Sequence, residues 1–328
     1  MTQEFIELTK GKRLLLAFSA GIDSSALFFL LMDAGVNFDI AIVDYETRAQ
    51  SKKEVAYAQE LAQKYALRCY ETKAPKFSNN FEANARAFRY DFFEDIIVEH
   101  GYDILLTAHQ LNDKLEWFLM RFVKGSGVCE LIGLEAKVQK ERYLLLRPLL
   151  GYAKSELLAY LEKNKRRYFI DDSNSDESYE RNFFRKHYSD ALLTEFRVGI
   201  QRSFDYMKDD CLKLQSGYKS LYAQKELRVL KIDDMRVRVN AIDKTLKELG
   251  YLLSKSQRDD IKKNDSLVIG GSWAVEIYDD KIYISPYVDA TLPKEFKELC
   301  RVAKIPPKVR PYCFKQDIEI DKILNSFD

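Results

Sequence analysis

The stretch LLLAFSAGIDSSALFFLLMDAG, residues 14 to 35, constrains the fold more than any other part of the chain. Leu14 to Phe18 is a short unbroken apolar run, the pattern of a strand buried on both faces. From Ser24 onward apolar residues recur at helical spacing, and Gly35 stands where a helix would end. The polar heptad Ser19 to Ser25 is therefore a turn from a buried strand into a helix. Such a turn brings backbone N–H groups and the helix dipole onto an anion. Gly21 lets the backbone approach a ligand, and Ser19, Ser24 and Ser25 offer hydroxyls. Asp23 is the informative residue, because a bare anion site would not carry a carboxylate. It makes sense where a divalent cation bridges it to phosphate. The plainer alternative is an ordinary turn with Asp23 or Ser24 as N-cap. Neither the Walker pattern nor the dinucleotide glycine pattern is present.

Strand-like and helix-like segments alternate through the first half of the chain. Strands are expected at 39–43 (ending in Asp44), 68–72, 104–107 and 143–146, with helices at 51–65, 81–99, 113–122 and 154–163. Alternation at this pitch implies right-handed crossovers and a doubly wound, mostly parallel α/β sheet. Ligands collect at the C-terminal ends of such strands, so the polar residues just after each strand are the ones to inspect. Arg181 to about Tyr222 reads as a polar helical connector. Beyond it a smaller α+β domain is expected, with helices near 242–249 and 256–262 and short strands around Gly270-Gly271 and 281–285. The expected organisation is a catalytic domain over 1–190, a connector over 191–220 and a small domain over 221–328, its last part abbreviated.

A chain of 328 residues with 46% hydrophobic content suits two domains, and a formal charge of +1 does not settle the partner. No apolar run approaches the ~18 residues of a membrane span, and no signal-peptide core precedes the first strand. The expectation is a cytoplasmic protein with no membrane partner. Five scattered cysteines without a CxxC pair fit reduced thiols and give no metal signature.

Three further segments carry candidate chemistry. After the strand ending at Thr107 come His109, Asp113 and Glu116. The two carboxylates are three apart and share a helix face, so they can hold a cation or a substrate ammonium. Asp113 as N-cap with Glu116 three residues on reads equally as a capping box. Arg86 and Arg89 share a face of the helix over 81–99. Arg181 and Arg185, four apart, can address one phosphate or carboxylate, following Asp172-Ser173-Asn174. Lys163, Lys165, Arg166 and Arg167 form a basic cluster suited to an RNA backbone, although a charge run is more often plain surface.

Ser19-Ala20-Gly21-Ile22-Asp23-Ser24 resembles the SGGxDS loop of N-type ATP pyrophosphatases, whose fold is adenine nucleotide alpha hydrolase-like. The order of ARxxRY (Ala85 to Tyr90), His109 with Asp113 and Glu116, Gly125-Ser126-Gly127, RPLL (Arg147 to Leu150), DxSN and RNxxR (Arg181 to Arg185) resembles the tRNA(Ile)-lysidine synthetases. The likeness covers about residues 13 to 190, and more weakly Gly270-Gly271 and Lys304-Ile305-Pro306. It implies a ligase that uses ATP and Mg²⁺ to adenylate the C2 oxygen of the wobble cytidine in tRNA(Ile) with a CAU anticodon. Free L-lysine then attacks C2, releasing AMP and leaving lysidine. The resemblance also leaves room for a homodimer.

By the same resemblance, Ser19, Ala20, Gly21, Ile22, Asp23, Ser24, Ser25, Arg86 and His109 bind ATP, and Asp23 holds the metal. Asp113, Glu116 and Arg185 bind lysine and, with Asp23, are catalytic; Arg121 supports the site. Arg86, Arg89, Arg166, Arg167 and Arg181 contact tRNA. Three residues depart from the pattern. Ala20 replaces a glycine and is tolerable only with φ below zero. Tyr45 replaces a histidine after Asp44, although Arg48 and Ser51 still match. Asn112 replaces an aspartate and is expected to remove one charge from the lysine pocket. Two alternatives are a tRNA cytidine thiolase, which would call for CxxC pairs, and a nucleotide- and RNA-binding protein without catalysis. Amidotransferase relatives would need room for a glutaminase domain.

Overall fold

The computed structural model describes residues 1–46, 50–77, 79–170 and 180–327. Arg48 and Asp172-Ser173-Asn174 lie outside the described residues. The chain divides into two compact units, Met1–Met207 and Lys208–Asp328.

The first unit carries a six-stranded sheet of β1 (Leu14–Ala17), β2 (Asp39–Asp44), β3 (Cys69–Lys73), β4 (Ile104–Leu106), β5 (Lys137–Gln139) and β6 (Leu144–Leu146), in the order β3-β2-β1-β4-β6-β5. Every pairing is parallel except β5 with β6. Its helices are α1 (Gln3–Thr9), α2 (Ile22–Asp33), α3 (Ser51–Tyr65), α4 (Phe81–His100), α5 (Leu111–Phe122), α6 (Val128–Ile132), α7 (Lys154–Lys163) and α8 (Glu180–Phe184). A π-helical turn, Arg185–Ser189, then leads into α9 (Asp190–Ser216).

The inner strands β1, β4 and β6 are apolar throughout because both faces are covered. Leu14, Leu16, Ile40, Ile42, Ile104 and Leu106 pack with residues of α2, α3 and α7. Their neighbours Leu15, Ala41, Leu105 and Leu145 pack instead with Phe93, Ile96 and Ile97 of α4. Alternate residues thus serve opposite layers, as the two-residue period of a strand requires. Strand order reverses between β1 and β4, which is where a doubly wound sheet opens a crevice at its C-terminal edge. The expected strands and helices of this half are present, several shifted by a residue or two. β5 was not anticipated, because three residues on an edge strand, mostly exposed, leave no apolar run to read.

The second unit has an antiparallel sheet in the order β7-β8-β11-β10-β9. Its strands are β7 (Tyr218–Gln224), β8 (Leu227–Ile232), β9 (Ser266–Ile269), β10 (Trp273–Tyr278) and β11 (Lys281–Pro286). One face packs on α10 (Arg238–Glu248) and α11 (Lys255–Lys263). The other packs on α12 (Lys294–Val302), α13 (Arg310–Lys315) and α14 (Ile320–Leu324).

The helical connector does not run to Tyr222, as its polar pattern had suggested: the helix ends at Ser216, and Tyr218–Gln224 is a strand on the edge of the sheet. The short strands expected around Gly270-Gly271 are present as β9 and β10, and the two glycines form the turn between them, both at positive φ. Cys69, Cys300 and Cys313 are free thiols. Among the described residues no helix is long and apolar enough to cross a membrane.

Candidate functional site

β1 ends at Ala17, and α2 begins at Ile22 with Gly21 as its N-cap. Between them the chain is tied down on itself. The Ser24 hydroxyl accepts from the Ser19 N–H at 3.2 Å and lies 3.1 Å from the Ser19 hydroxyl. The Ala20 carbonyl accepts from the Phe169 N–H at 2.9 Å, which braces the turn from outside. Ala20 adopts φ 59°, in the left-handed region. The expectation of φ below zero is therefore wrong. A residue other than glycine carries a steric cost there, and the methyl is accommodated because Ala20 is wholly buried in the core.

A cavity of about 430 Å³ opens over this turn, at the β1/β4 reversal. Ser19, Gly21, Ile22, Asp23 and Ser24 form its floor, and Arg86, Arg89, His109, Asp113, Arg181 and Arg185 stand around it. Those expected site residues are brought together. Ala20 and Ser25 are fully buried and do not line it. Arg166 and Arg167 stand elsewhere: Arg166 stacks over Phe29 and pairs with Asp33 at 3.7 Å. Arg167 stacks over Tyr57 and Phe169 and lies 3.6 Å from Glu60. Arg121 covers the Trp117 ring.

α5 starts at the end of β4, and its first turn builds the acidic wall. Gln110 is the N-cap, and its N–H donates to the Asp113 carboxylate at 2.9 Å. A capping box does exist, but it joins Gln110 to Asp113 and leaves Glu116 out. Glu116, one turn further, is fully enclosed and meets both arginines. Arg181 Nε donates to its Oε2 at 2.7 Å, and Arg185 Nε to its Oε1 at 2.7 Å. Arg181 also donates to Asp113. Two carboxylates and two guanidiniums thus form one neutral cluster, the arrangement in which buried charge is tolerated.

Asn112 is not part of that pocket. Its carbonyl accepts from the Lys154 N–H at 3.0 Å, and its amide donates to Asp190 at 2.7 Å. The expected loss of a pocket charge is thereby corrected: the side chain points to the start of α7. Tyr45 does line the cavity, and its hydroxyl donates to the Ala85 carbonyl at 3.2 Å, tacking the end of β2 to α4.

The site has two electrical halves. Burial pushes the Asp23 carboxyl up to about 7, Asp113 and Glu116 add to the rise, and Lys154 and Arg185 oppose it. Asp23 Oδ1 is buried with no hydrogen-bond partner among the described residues. On the other side, burial drives His109 down to about 3, helped by Arg147, Arg86, Arg181 and Arg89. Its imidazole is therefore neutral near pH 7, with Nδ1 3.0 Å from the Thr107 hydroxyl. Sequence reading assigned no role to Tyr90, Thr107, Gln110 or Lys154, all of which line the cavity. Gln110 and Lys154 could have been found by inspecting the polar residues just beyond β4 and β6.

Residues 1–192 match the PP-loop domain family. The chain is 41% identical to a tRNA(Ile)-lysidine synthase of Campylobacter jejuni, with 98% of each chain covered. It is 40% identical to that of Wolinella succinogenes over 97% of each. To the Helicobacter pylori protein it is 39% identical, over 94% of this chain and 91% of that one. The chain belongs to the tRNA(Ile)-lysidine synthase family. Among solved structures, a U34-tRNA thiolase from Methanococcus maripaludis matches 61% of this chain and 72% of its own, with TM-score 0.51 and 15% identity. That likeness shows the fold, adenine nucleotide alpha hydrolase-like, and nothing further. A PP-loop domain implies the use of ATP.

Proposed function

We propose that this chain ligates free L-lysine to C2 of the wobble cytidine of tRNA(Ile) with a CAU anticodon, at the expense of ATP. The observation that carries this reading is that one cavity joins a phosphate-type turn to a closed carboxylate–guanidinium cluster. The first half suits activation, and the second suits an amino acid that bears both charges.

In the first step the cytidine C2 oxygen attacks the α-phosphorus, and pyrophosphate leaves with the electron pair of the broken P–O bond. The PP-loop hydroxyls and N–H groups hold the departing phosphates. Asp23 would hold Mg²⁺, and its orphaned Oδ1 fits that role, since Mg²⁺ binds through one or two carboxylates plus substrate phosphates. When bound, the ion neutralises phosphate charge. Neutral His109 offers a ring nitrogen to the adenylate as a hydrogen-bond partner without adding charge. Arg86 and Arg89, on α4, face the cavity where the nucleotide and the anticodon backbone would meet.

In the second step the lysine ε-amine attacks C2, and AMP leaves with the C–O electron pair. Lysine enters by exchanging ion pairs: its carboxylate takes a fork of Arg185, and its ammonium takes the oxygens of Asp113 and Glu116 so released. The carboxylate of lysine and one of its two ammonium groups balance each other in this exchange, and its second ammonium brings one further positive charge to the acidic wall. The same carboxylates accept the proton that the ammonium must lose before attack. This chemistry belongs in the cytoplasm, where tRNA, lysine and ATP coexist.

The direct experiment is nucleoside analysis of isoleucine tRNA after incubation with the protein, ATP, Mg²⁺ and labelled lysine. Label in lysidine supports the reading. ATP-dependent modification without lysine would favour the thiolase class, and no turnover with every substrate supplied would leave a binding protein.

A further inference from the structure

The PP-loop contains no lysine or arginine, so its own donors are all neutral. A triphosphate or leaving pyrophosphate still carries several negative charges, and one divalent ion does not offset them all. The cavity wall holds five cations: Arg86, Arg89, Lys154, Arg181 and Arg185. Arg181 and Arg185 are committed to Asp113 and Glu116. Arg86 and Arg89 belong to the His109 half, where both act on its imidazole. Lys154 forms no ion pair among the described residues, lines the cavity, and acts electrostatically on Asp23 ahead of Arg185. It stands on the phosphate side.

The segment that delivers Lys154 is fixed at three successive residues. The Tyr152 carbonyl accepts from the Leu111 N–H at 2.9 Å. The Ala153 N–H donates to Glu156 at 2.7 Å, and the Lys154 N–H to the Asn112 amide oxygen at 3.0 Å. Asn112 is itself held by Asp190, and Glu156 by Arg197. The first turn of α7 is thus anchored on the first turn of α5. A lysine so mounted is placed rather than left to wander.

We propose that Lys154 is a catalytic residue of the adenylation step, its ammonium contacting the pyrophosphate as it leaves, with Asn112 as the residue that positions it. The proposal rests on the reading of this site as an ATP-dependent lysidine synthase. The role of Lys154 is to supply charge. It does for this turn what the lysine of a Walker loop does, but from an element about 130 residues further along. Charge held ready where negative charge develops is usually the largest single contribution to such a step.

The test compares wild type, Lys154→Met and Lys154→Arg for pyrophosphate release with tRNA(Ile), ATP, Mg²⁺ and lysine. Inhibition by added pyrophosphate and the KM for lysine are measured alongside. Lys154→Met should lower the adenylation rate about 100-fold and weaken pyrophosphate inhibition at least about tenfold, with the lysine KM within about twofold. Lys154→Arg should recover part of both effects, and Asn112→Ala should show the same split more weakly. Unchanged pyrophosphate inhibition in Lys154→Met overturns the proposal, and a selective rise in lysine KM would move Lys154 to the amine pocket. Should Lys154→Met not fold, a Lys154→Arg enzyme with wild-type pyrophosphate inhibition and an unaffected Asn112→Ala would overturn it equally. A wild type that releases no pyrophosphate ends the underlying reading instead, so the two failures are distinct.

Discussion

Asp23 pays for its position with stability. Its carboxyl is raised from 3.8 to about 7 in the fold, so the native state binds the proton more tightly than the unfolded chain does. Stability from this group is full below pH 4 and is lost as pH rises toward 7. Asp23→Asn should therefore raise Tm at pH 8 by at least about 2 °C, leave it unchanged near pH 4, and abolish adenylation. Equal Tm shifts at both pH values would mean that the carboxylate is not penalised by burial. Ala20 poses the opposite case. Relief of its left-handed strain, about 1–2 kcal/mol, is offset in Ala20→Gly by the lost methyl burial and the greater freedom of the unfolded chain. That variant should melt within about 2 °C of wild type, whereas Ala20→Val, branched where φ is positive, should lose more than about 2 kcal/mol. Thermal melts of the pair decide it. Neither residue's cost was readable in the sequence, because both depend on what the fold packs around a turn.

At the level of elements, legibility followed burial. β1, β2 and β4 were visible because a strand covered on both faces must be apolar throughout, and the helix over 154–163 was placed to the residue. β7 was not, since most of its residues are exposed and its polar composition continues that of the helix before it. Among the site residues, Asp113 and Glu116 announced themselves by spacing, yet Lys154 looked like any cation opening an amphipathic helix. Arg166 and Arg167, read as part of a basic cluster suited to RNA, have a local partner that spacing does not disclose: they stack on Phe29, Tyr57 and Phe169. The join between α5 and α6 offers a test of element packing. Gly133 sits at φ 65°, and an added Cβ would lie 2.0 Å from Trp117 Cδ1. Trp117 is in turn fixed by donating to the Glu130 carbonyl at 2.9 Å. Gly133→Ala should displace the indole, lower stability by more than about 2 kcal/mol and shift tryptophan fluorescence. An unshifted spectrum with a wild-type melt would show that the loop yields freely.

For the molecule as a whole, the proposed substrates should respond differently to salt. Lysine is read by a cluster in which Glu116 is fully enclosed and the charges cancel, and buried pairs are little screened. The tRNA must be held largely through phosphates, and exposed cations such as Arg86 release counterions when they bind them. Two such contacts weaken binding about tenfold between 50 and 200 mM salt, and each further contact multiplies the loss by about three. Raising KCl over that range should therefore increase the KM for tRNA at least tenfold while the KM for lysine changes by less than about twofold. The chain's near-neutral formal charge of +1 gives no hint of this, since opposite charges placed in separate regions vanish from the sum. A lysine KM that climbs in step with that for tRNA would place the amino acid at an open, screened surface, and the ion-pair exchange proposed for its entry could not then hold.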